Sequence, residues 1–412
     1  MTDSATYYDV LIVGAGPAGI AAARAASVSG KMVGILDDNP GPGGQIWRSD
    51  FEASAVPAKW SAVLHQTNVK ATFRARVIWA DASKKLLMVE TDGRVSAISY
   101  GSLIVATGGR ELFLPFPGWT LPNVMGAGGL RALVKSGLRI ESKRVVVART
   151  GPLLLAVAAH LKECGAKIVL IAEQAAAREV AFFLAHLSQV PSKLMQAAQL
   201  KLILGSTRYR FGAWVEAAHG SRKVEGVRLR TPDGSRDVEC DFLAIGYGLV
   251  PNTELPLALG CEAGPSCIKV DSHQRTNVPN IFCAGETTGI GGVDLCLSEG
   301  QIAGFAAVGD LEGAKKLCPE RRRQRLFAKR LEHYFALRSE LKELASDETF
   351  VCRCEDVPYG RLRDMPDWRT AKLQTRCGMG PCQGRICGAA THFLFGWAPD
   401  SVRPADLSNT FR

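Results

Sequence analysis

The stretch that decides the fold is DVLIVGAGPAGIAAARAASVSGKMVGILDDN, which runs from Asp9 to Asn39. An apolar run, Val10–Val13, leads into a glycine-rich turn, an alanine-rich segment and a second apolar run that ends at Asp37. Short runs of branched apolar residues are typical of buried strands. The stretch therefore predicts a strand, a tight turn, a helix and a second strand.

Three glycines in this stretch have the spacing of a dinucleotide-binding turn: Gly14, Gly16 and Gly19. The first permits the tight turn, the second lets a pyrophosphate approach the backbone, and the third lets helix and strand pack closely. Asp37 closes the second strand, where a carboxylate can accept a hydrogen bond from a ribose hydroxyl. The segment predicts a dinucleotide site, and the alternative is a glycine-rich turn in an α/β domain that binds no nucleotide.

Composition places the chain among ordinary globular proteins. Its 412 residues suffice for two or three domains, and 47% apolar with 22% charged residues is typical of a globular protein. No apolar stretch reaches the roughly 18 residues needed to span a bilayer, and the start, MTDSATYYDVLIV, lacks the basic region of a signal peptide. We expect a cytoplasmic protein, with peripheral attachment to the inner membrane through a quinone-linked acceptor as a further option.

The formal net charge is +10, and positive charge is densest over Lys315–Arg330. Aromatic residues are not broadly interleaved with this charge, so nucleic-acid binding is not expected. The simplest interpretation is a solvated helix face, and the alternative is a docking surface for an acidic partner or an anionic lipid.

Further along the chain, Asn39–Arg48 is a glycine-rich loop. The segments KATFRARVIWA, KLLMVETDG and VSAISYGSLIVATGG then predict an antiparallel meander that ends at Ala106-Thr107-Gly108. A helix is expected to start near Gly292, and Pro319 to about Ser346 predicts one or two linking helices.

A second α/β unit is predicted over Lys143–Gln174. Its glycine fingerprint is degraded, because Arg149 and Leu154 occupy the first and third glycine positions and only Gly151 remains. Glu173 occupies the position of the ribose acid. We expect no NAD(P)H here; Arg149 could instead bind a phosphate of another adenine nucleotide, or the unit could be a scaffold.

These stretches resemble flavoproteins with two dinucleotide-binding domains, of the glutathione- or thioredoxin-reductase type. The resemblance implies an α/β fold with two Rossmann-like domains and a bound FAD. Glu286 replaces the aspartate that the family usually carries at the ribityl chain. The FAD-binding residues that the resemblance and the fingerprint imply are Gly14, Gly16, Pro17, Ala18, Gly19, Asp37, Asp38, Gly44, Gln45, Ala106, Thr107, Gly108, Gly285, Glu286, Gly292 and Val293.

Disulfide reductases of this type carry a redox cysteine pair beside the flavin. The stretch after the first Gly-Gly here is GGQIWRSDF, without cysteine, and the second unit has only Cys164 and Cys240, far apart in sequence. Disulfide reductase activity is therefore not expected. The seven histidines form no recognisable catalytic constellation, so we predict no catalytic residue in this chain.

Of the twelve cysteines, five fall between Cys352 and Cys387, in VCRCEDV and TRCGMGPCQGRIC. The other seven are expected to be small buried residues in a reducing compartment. Four thiolates in glycine-rich loops can hold a [2Fe–2S] cluster or a zinc ion. Spacing alone does not choose which four of the five are ligands.

The tail resembles the bacterioferritin-associated-ferredoxin-like [2Fe–2S] domain, whose appended forms show C-x-C followed by T-R-x-G-M-G-x-C-Q-G-x-x-C. Matched position by position, the resemblance implies Cys352, Cys354, Cys382 and Cys387 as ligands. Cys377 falls on a variable position and is then a spare thiol. A zinc site with four thiolate ligands remains the alternative.

Taken together, the FAD unit, the degraded second unit and the tail resemble the alpha subunits of heteromeric amine dehydrogenases. These include opine, octopine and nopaline dehydrogenases, D-hydroxyproline dehydrogenase and the middle subunit of hydrogen cyanide synthase. The resemblance implies an electron-relay subunit with FAD and [2Fe–2S], and with FMN or an adenine nucleotide as further candidates. It also implies a D-amino-acid-oxidase-like FAD beta subunit that oxidises the C–N bond and a small ferredoxin-like gamma subunit.

The implied domain boundaries are 1–112 with 245–312 for the FAD domain, 113–244 for the second domain, 313–348 for a helical linker and 349–412 for the [2Fe–2S] domain. Two alternatives remain for the function. One is a stand-alone NAD(P)H-dependent ferredoxin-type reductase, and the other is an iron–sulfur scaffold or sensor without flavin.

Overall fold

The computed structural model describes residues 6–48, 55–187 and 190–398. The chain divides into two compact units. Within the described residues, unit 1 runs to Arg110 and resumes over Leu249–Lys329, whereas unit 2 covers Glu111–Gly248 and the described chain from Arg330 onward.

The strands of the described residues are, in chain order, β1 (Thr6–Val13), β2 (Val33–Leu36), β3 (Val69–Thr72), β4 (Ala75–Asp81), β5 (Leu86–Thr91), β6 (Arg94–Val105), β7 (Gly109–Glu111), β8 (Val124–Gly126), β9 (Arg144–Arg149), β10 (Lys167–Glu173), β11 (Tyr209–Phe211), β12 (Trp214–His219), β13 (Gly226–Thr231), β14 (Gly234–Glu239), β15 (Phe242–Gly246), β16 (Leu249–Pro251), β17 (Ile281–Cys283), β18 (Phe350–Cys352) and β19 (Val357–Pro358).

The α-helices are α1 (Pro17–Ser27), α2 (Gly44–Trp47), α3 (Ala55–Ser61), α4 (Ala127–Lys135), α5 (Leu153–Glu163), α6 (Ala177–Leu187), α7 (Pro191–Leu204), α8 (Glu254–Ala258), α9 (Val293–Val308), α10 (Leu311–Tyr334), α11 (Trp368–Thr375) and α12 (Cys387–Phe395). Short 3₁₀ turns lie at Ala62–His65, Gly285–Thr288, Ser339–Glu343 and Tyr359–Arg361.

Unit 1 is built on a sheet of order β3-β2-β1-β6-β5-β4, in which β17 pairs with the same β6. The pairs β1–β2, β1–β6, β2–β3 and β6–β17 are parallel, whereas β4–β5 and β5–β6 are antiparallel. The predicted meander is thus confirmed for β4 to β6. The first of its three segments divides, however, because Arg74 has a φ of 55° and separates the parallel β3 from β4.

The core of unit 1 brings α1 and α9 into close contact. A Cβ added to Gly300 would lie 2.1 Å from the carbonyl oxygen of Ala18, and one added to Gly304 would lie 2.3 Å from that of Ala22. Both distances are shorter than any real Cβ contact, so only glycine allows this approach. The result is that the first half of α1 packs directly against the second half of α9.

Unit 2 contains a parallel sheet of order β11-β10-β9-β15-β8 and a three-stranded antiparallel sheet, β12-β13-β14. The second predicted α/β unit corresponds to β9, α5 and β10. Leu154, at the degraded third glycine position, is fully buried in the core beneath this sheet.

The described tail adds the β18–β19 hairpin, α11 and α12 to unit 2. Its small core contains Trp368, Leu362 and three of the clustered cysteines. No helix in the described part of the chain combines the length and the apolarity needed to cross a bilayer.

Candidate functional site

The predicted flavin turn joins β1 to α1. Gly14 has a φ of 106°, and a Cβ there would lie 2.3 Å from the carbonyl oxygen of Ala106. A Cβ on Gly19 would lie 1.8 Å from the carbonyl oxygen of Gly14. Pro17 begins the helix, where its missing N–H leaves no donor unpaired. The turn therefore needs glycine at its first and third positions for the reasons that the spacing suggested.

Asp37 is buried, and its carboxylate spans the turn. Oδ2 accepts a hydrogen bond from the backbone N–H of Ala15 at 2.6 Å, and Oδ1 accepts from the N–H of Asn39 at 2.8 Å. Both oxygens retain further lone pairs, so the fixed carboxylate can still accept a hydrogen bond from a hydroxyl group. Asp38, by contrast, is exposed and bonds through Oδ1 to the side chain of Asn39.

The glycine-rich loop after β2 returns to the same turn. The N–H of Gly43 donates to the carbonyl of Ala15 at 2.9 Å, and a Cβ on Gly44 would lie 3.0 Å from the Cα of Gly16. The predicted loop is not wholly irregular, because Gly44–Trp47 form α2. Gln45, in the first turn of this helix, is exposed. The backbone of Gly43 and Gly44 thus lies directly against the backbone of Ala15 and Gly16. Side chains at these glycines would fill the space between the two segments, which we call the backbone cradle.

The predicted residues after β6 and β17 lie on this edge as well. The hydroxyl of Thr107 donates to the carbonyl of Asn252 at 2.9 Å and lies 3.3 Å from the hydroxyl of Thr287. A Cβ on Gly109 would be 3.2 Å from Oε2 of Glu286. The carboxyl ends of β1, β6 and β17 therefore bring together three motifs that are far apart in sequence.

The helix after Glu286 begins as expected. Gly292 has a φ of 80° and caps α9, so Val293 is the first helical residue. Gly285 packs so closely on α1 that a Cβ would lie 2.7 Å from that of Ala18. The N–H groups at the start of α9 give this end a partial positive charge that suits an anionic or polar group.

A buried carboxylate that the sequence did not single out holds the 3₁₀ turn at Gly285–Thr288. Glu299 of α9 is fully buried, and its Oε2 accepts from the N–H of Gly285 at 3.2 Å and from the hydroxyl of Thr288 at 2.8 Å. Its Oε1 accepts from Nε of Arg321 at 3.2 Å and from Nε of Arg325 at 2.9 Å. Two arginines of the basic segment are thus structural ion-pair partners, and the interpretation of that segment as a purely solvated face needs this correction.

The corresponding turn of unit 2 follows β9. Gly151 has a φ of 84°, and its N–H donates to Oε2 of Glu173 at 2.8 Å, while Oε1 accepts from the N–H of Ala175 at 2.9 Å. Glu173 therefore occupies the same structural position as the acid of unit 1. Its burial raises its pKa to about 7, against the effect of these hydrogen bonds. The side chain of Arg149 lies outside the described part of the structure, so its predicted phosphate contact stays a prediction.

The chain's own linker covers this second turn. A Cβ on Gly151 would lie 3.7 Å from the ring of Phe335, and the hydroxyl of Thr150 donates to the carbonyl of Phe335 at 3.2 Å. The side-chain amide of Gln174 donates to the carbonyl of Ala336 at 3.0 Å. Ligands of doubly wound sheets bind outside the carboxyl ends of the strands. At β9 and β10 that position is taken by the residues after α10.

Four short elements bring the tail cysteines together. Cys352 ends β18, and Cys354 lies in the turn that follows. Cys377 follows the end of α11, and Cys387 begins α12. Gly380 is required between them, because a Cβ there would lie 2.2 Å from the Cβ of Cys354. The structure thus collects all the clustered thiols in one small region of unit 2, Cys382 included.

The four predicted ligands line one pocket of about 220 Å³. Phe113, Trp119 and Ile386 supply apolar walls, and the indole N–H of Trp119 donates to the carbonyl of Phe350 at 2.6 Å. No sequence pattern indicated Phe113 or Trp119, which lie more than 200 residues before the cysteines. Cys352 and Cys387 form the buried side of the pocket, whereas Cys354 is exposed and Cys382 half-buried.

Cys377 lies against the buried pair. The sulfurs of Cys352, Cys377 and Cys387 are all within 4.8 Å of one another. Thiol hydrogen bonds from Cys377 and Cys387, with backbone N–H bonds from Gly378 and Glu355, lower the pKa of Cys352 to about 2. In the described part of the chain, Cys377 does not line the pocket itself.

These features fit the two groups that the sequence implies. The backbone cradle at Gly14, Gly16 and Gly44 with the fixed Asp37 fits a dinucleotide such as FAD. Soft thiolates with N–H donors directed at their sulfurs fit an iron–sulfur cluster, and a four-thiolate zinc site would use the same donors.

Comparison with known proteins defines the class. A family model described as pyridine nucleotide-disulphide oxidoreductase matches residues 8–302, and the chain belongs to this family of oxidoreductases. The predicted α/β fold class is thereby confirmed. The fold is also similar to that of L-proline dehydrogenase from P. horikoshii, with a TM-score of 0.68 at 16% identity over 97% of this chain and 77% of that one.

Closer relatives match over nearly the whole chain. The A subunit of opine oxidase from Agrobacterium tumefaciens (strain Ach5) is 31% identical over 100% of this chain and 90% of the relative. The HcnB subunit of hydrogen cyanide synthase from Pseudomonas aeruginosa is 30% identical over 96% of this chain and 92% of the relative. The resemblance to this group of subunits, expected from the motifs, is confirmed.

Proposed function

We propose that this chain is the electron-transfer subunit of a heteromeric dehydrogenase that oxidises the C–N bond of an opine, D-hydroxyproline or a related amino acid. The full-length similarity to one subunit of opine oxidase and one of hydrogen cyanide synthase supports this proposal. The C–N bond is oxidised in a separate FAD-containing subunit of the D-amino-acid-oxidase type. A small ferredoxin-like subunit completes the complex, and a quinone or dye accepts the electrons.

The observation that carries the proposal is the pocket lined by four thiols in a chain that also has a flavin-type turn. Flavin accepts two electrons together and releases them singly, and an iron–sulfur cluster carries one at a time. His273 near the flavin motif is half-buried, and its backbone N–H donates to Oδ1 of Asp271 as in an ordinary turn. The residues therefore support electron relay rather than substrate oxidation in this chain.

At the predicted flavin site, backbone and side-chain groups of this chain would bind and orient FAD. Gly14 and Gly16 keep side chains away from the pyrophosphate, and the start of α1 supplies backbone N–H groups to it. Asp37 would hold a ribose hydroxyl of FAD, and Glu286 would hold its ribityl chain. The start of α9, with its partial positive charge, would face the flavin ring.

At the tail, Cys352, Cys354, Cys382 and Cys387 are the proposed ligands of a [2Fe–2S] cluster. Backbone N–H groups of Gly378 and Glu355 offset the negative charge on the sulfur of Cys352. Trp119 and Phe113 give the pocket apolar walls. The exposed Cys354 marks the side from which a one-electron partner can approach.

The covered turn of unit 2 argues against a stand-alone NAD(P)H-dependent reductase. Phe335 and Ala336 lie where the pyrophosphate of a nicotinamide nucleotide would bind. Electrons therefore enter from a partner subunit rather than from nicotinamide.

The test compares the isolated chain with the co-expressed complex. The isolated chain should hardly oxidise opines or amino acids with an artificial dye, and co-expression with the flavoprotein subunit should give dye-linked activity. Rapid substrate oxidation by the lone chain would contradict the division of labour. Rapid anaerobic bleaching of its flavin by NADH would instead support the reductase.

The ligand set has its own test. Cys382→Ser should abolish the visible absorption of the cluster, and Cys164→Ser, a half-buried thiol outside the pocket, should leave it unchanged. Full cluster absorption in Cys382→Ser would show that another thiol is the fourth ligand.

A further inference from the structure

The fifth cysteine of the tail has a place that a spare thiol does not require. Cys377 is fully buried, and its sulfur lies within 4.8 Å of the sulfurs of Cys352 and Cys387. Both neighbours line the pocket, whereas Cys377 does not. Cys377 therefore lies beside two of the proposed ligands without lining the pocket that they share.

Local structure fixes this position. The hydroxyl of Thr375 donates to the carbonyl of Ala371 at 2.6 Å and accepts the N–H of Cys377 at 3.2 Å. Arg376 ends α11 with a φ of 68°, and Gly378 continues with a φ of 80°. Backbone turns on both sides of Cys377 thus direct its side chain towards the buried thiols of Cys352 and Cys387.

A second contact holds the loop after Cys377 in place. The ring of Trp368 packs on two glycines, so that a Cβ on Gly378 would lie 2.6 Å from the ring and one on Gly384 would lie 3.1 Å from it. Trp368 itself is buried. A substitution at Cys377 can therefore change the thiol without releasing the loop that carries it.

We propose that Cys377 is a positioning residue for the cluster, whose S–H group donates a hydrogen bond to the sulfur of Cys352 and thereby raises the reduction potential of the cluster. This inference rests on the proposed function. Reduction adds negative charge to the cluster and its sulfurs, and a hydrogen-bond donor stabilises that charge. Because Cys377 is fully buried, water does not compete with its weak S–H donor.

The experiment uses the full chain with its cofactors. Iron and acid-labile sulfide are measured first, and the midpoint potential is then obtained by anaerobic titration followed by electron paramagnetic resonance. Cys377→Ala should retain wild-type iron and sulfide but have a lower midpoint potential. Cys377→Ser keeps a donor and should have a higher potential than Cys377→Ala. Cys240→Ala, a buried thiol in another part of unit 2, is the matched control and should leave the potential unchanged.

Each other outcome overturns the inference in a distinct way. Loss of iron from Cys377→Ala would make Cys377 a ligand. A retained cluster with an unchanged or higher potential would show that the thiol does not raise the potential of the cluster, and the proposed function would stand. A wild-type chain without iron would overturn the proposed function as well.

Discussion

Replacing Glu299 by leucine tests the buried ion-pair network that holds the flavin-side turn. The substitution removes the acceptor of four hydrogen bonds, from Gly285, Thr288, Arg321 and Arg325. Breaking a buried pair by removing one partner costs about 3–5 kcal/mol, since the remaining charges lose their compensation. The side chains of Arg321 and Arg325 are 17% and 28% exposed, so water solvates part of their uncompensated charge. We therefore expect Glu299→Leu to lower the free energy of unfolding by about 3 kcal/mol.

The assay is thermal and urea unfolding of the purified chain with measurement of bound flavin. A loss of about 3 kcal/mol corresponds to a fall in Tm on the order of 10 °C for a unit of this size. Flavin content should fall as well, because the affected turn carries Glu286. Glu299→Gln keeps one acceptor oxygen and should lose less stability than Glu299→Leu. Glu312→Gln, at an exposed position of α10, is the control. If Glu299→Leu unfolded within about 0.5 kcal/mol of the wild type, the network would not stabilise the turn.

The remaining predictions concern the two turns and the nucleotide. Burial raises the pKa of Glu173 from its ordinary 4.5 to about 7, so folding favours the neutral acid. The resulting contribution to the free energy of unfolding is about 3 kcal/mol. It is fully present below about pH 4.5 and is lost as the pH rises through 7. Urea unfolding should therefore show the wild type losing stability relative to Glu173→Gln between pH 4.5 and 7.5, and parallel pH profiles would contradict this. Gly14→Ala should lose bound flavin, and its free energy of unfolding should fall by at least the ~1–3 kcal/mol of a strained backbone. The control is Gly93→Ala, where φ is also positive but no atom lies near the added Cβ, and this variant should keep its flavin. Equal flavin loss in both variants would exclude the contact between position 14 and Ala106 as the cause. Calorimetry should detect no NADH binding to the wild type. Binding with a micromolar Kd would contradict the claim that Phe335 and Ala336 block the nucleotide position at the turn of Gly151.

Much of the flavin side could be predicted from the sequence, because its constraints are local. The positive φ of Gly14, the start of α1 at Pro17 and the cap at Gly292 all follow from residue type and spacing. Strand ends in a parallel sheet meet at one edge, so the contact between the turn and Ala106 also follows once the order of strands is assumed.

The rest depended on tertiary packing that no local pattern encodes. Glu299 is a charged residue in an otherwise apolar helix, which is a signal, but its partners Arg321 and Arg325 are fixed only by the packing of α10. Similarly, nothing in the sequence around Phe335 indicates that it covers the turn at Gly151. The ligand choice among five thiols came from the resemblance, and the pocket lining is consistent with it without testing it.

The most direct measurement is the cofactor content of the chain purified on its own under anaerobic conditions. After denaturation, we expect FAD in the supernatant together with iron and acid-labile sulfide in equal amounts. A preparation that releases no flavin, or that releases zinc in place of iron and sulfide, would contradict the claim that this chain relays electrons.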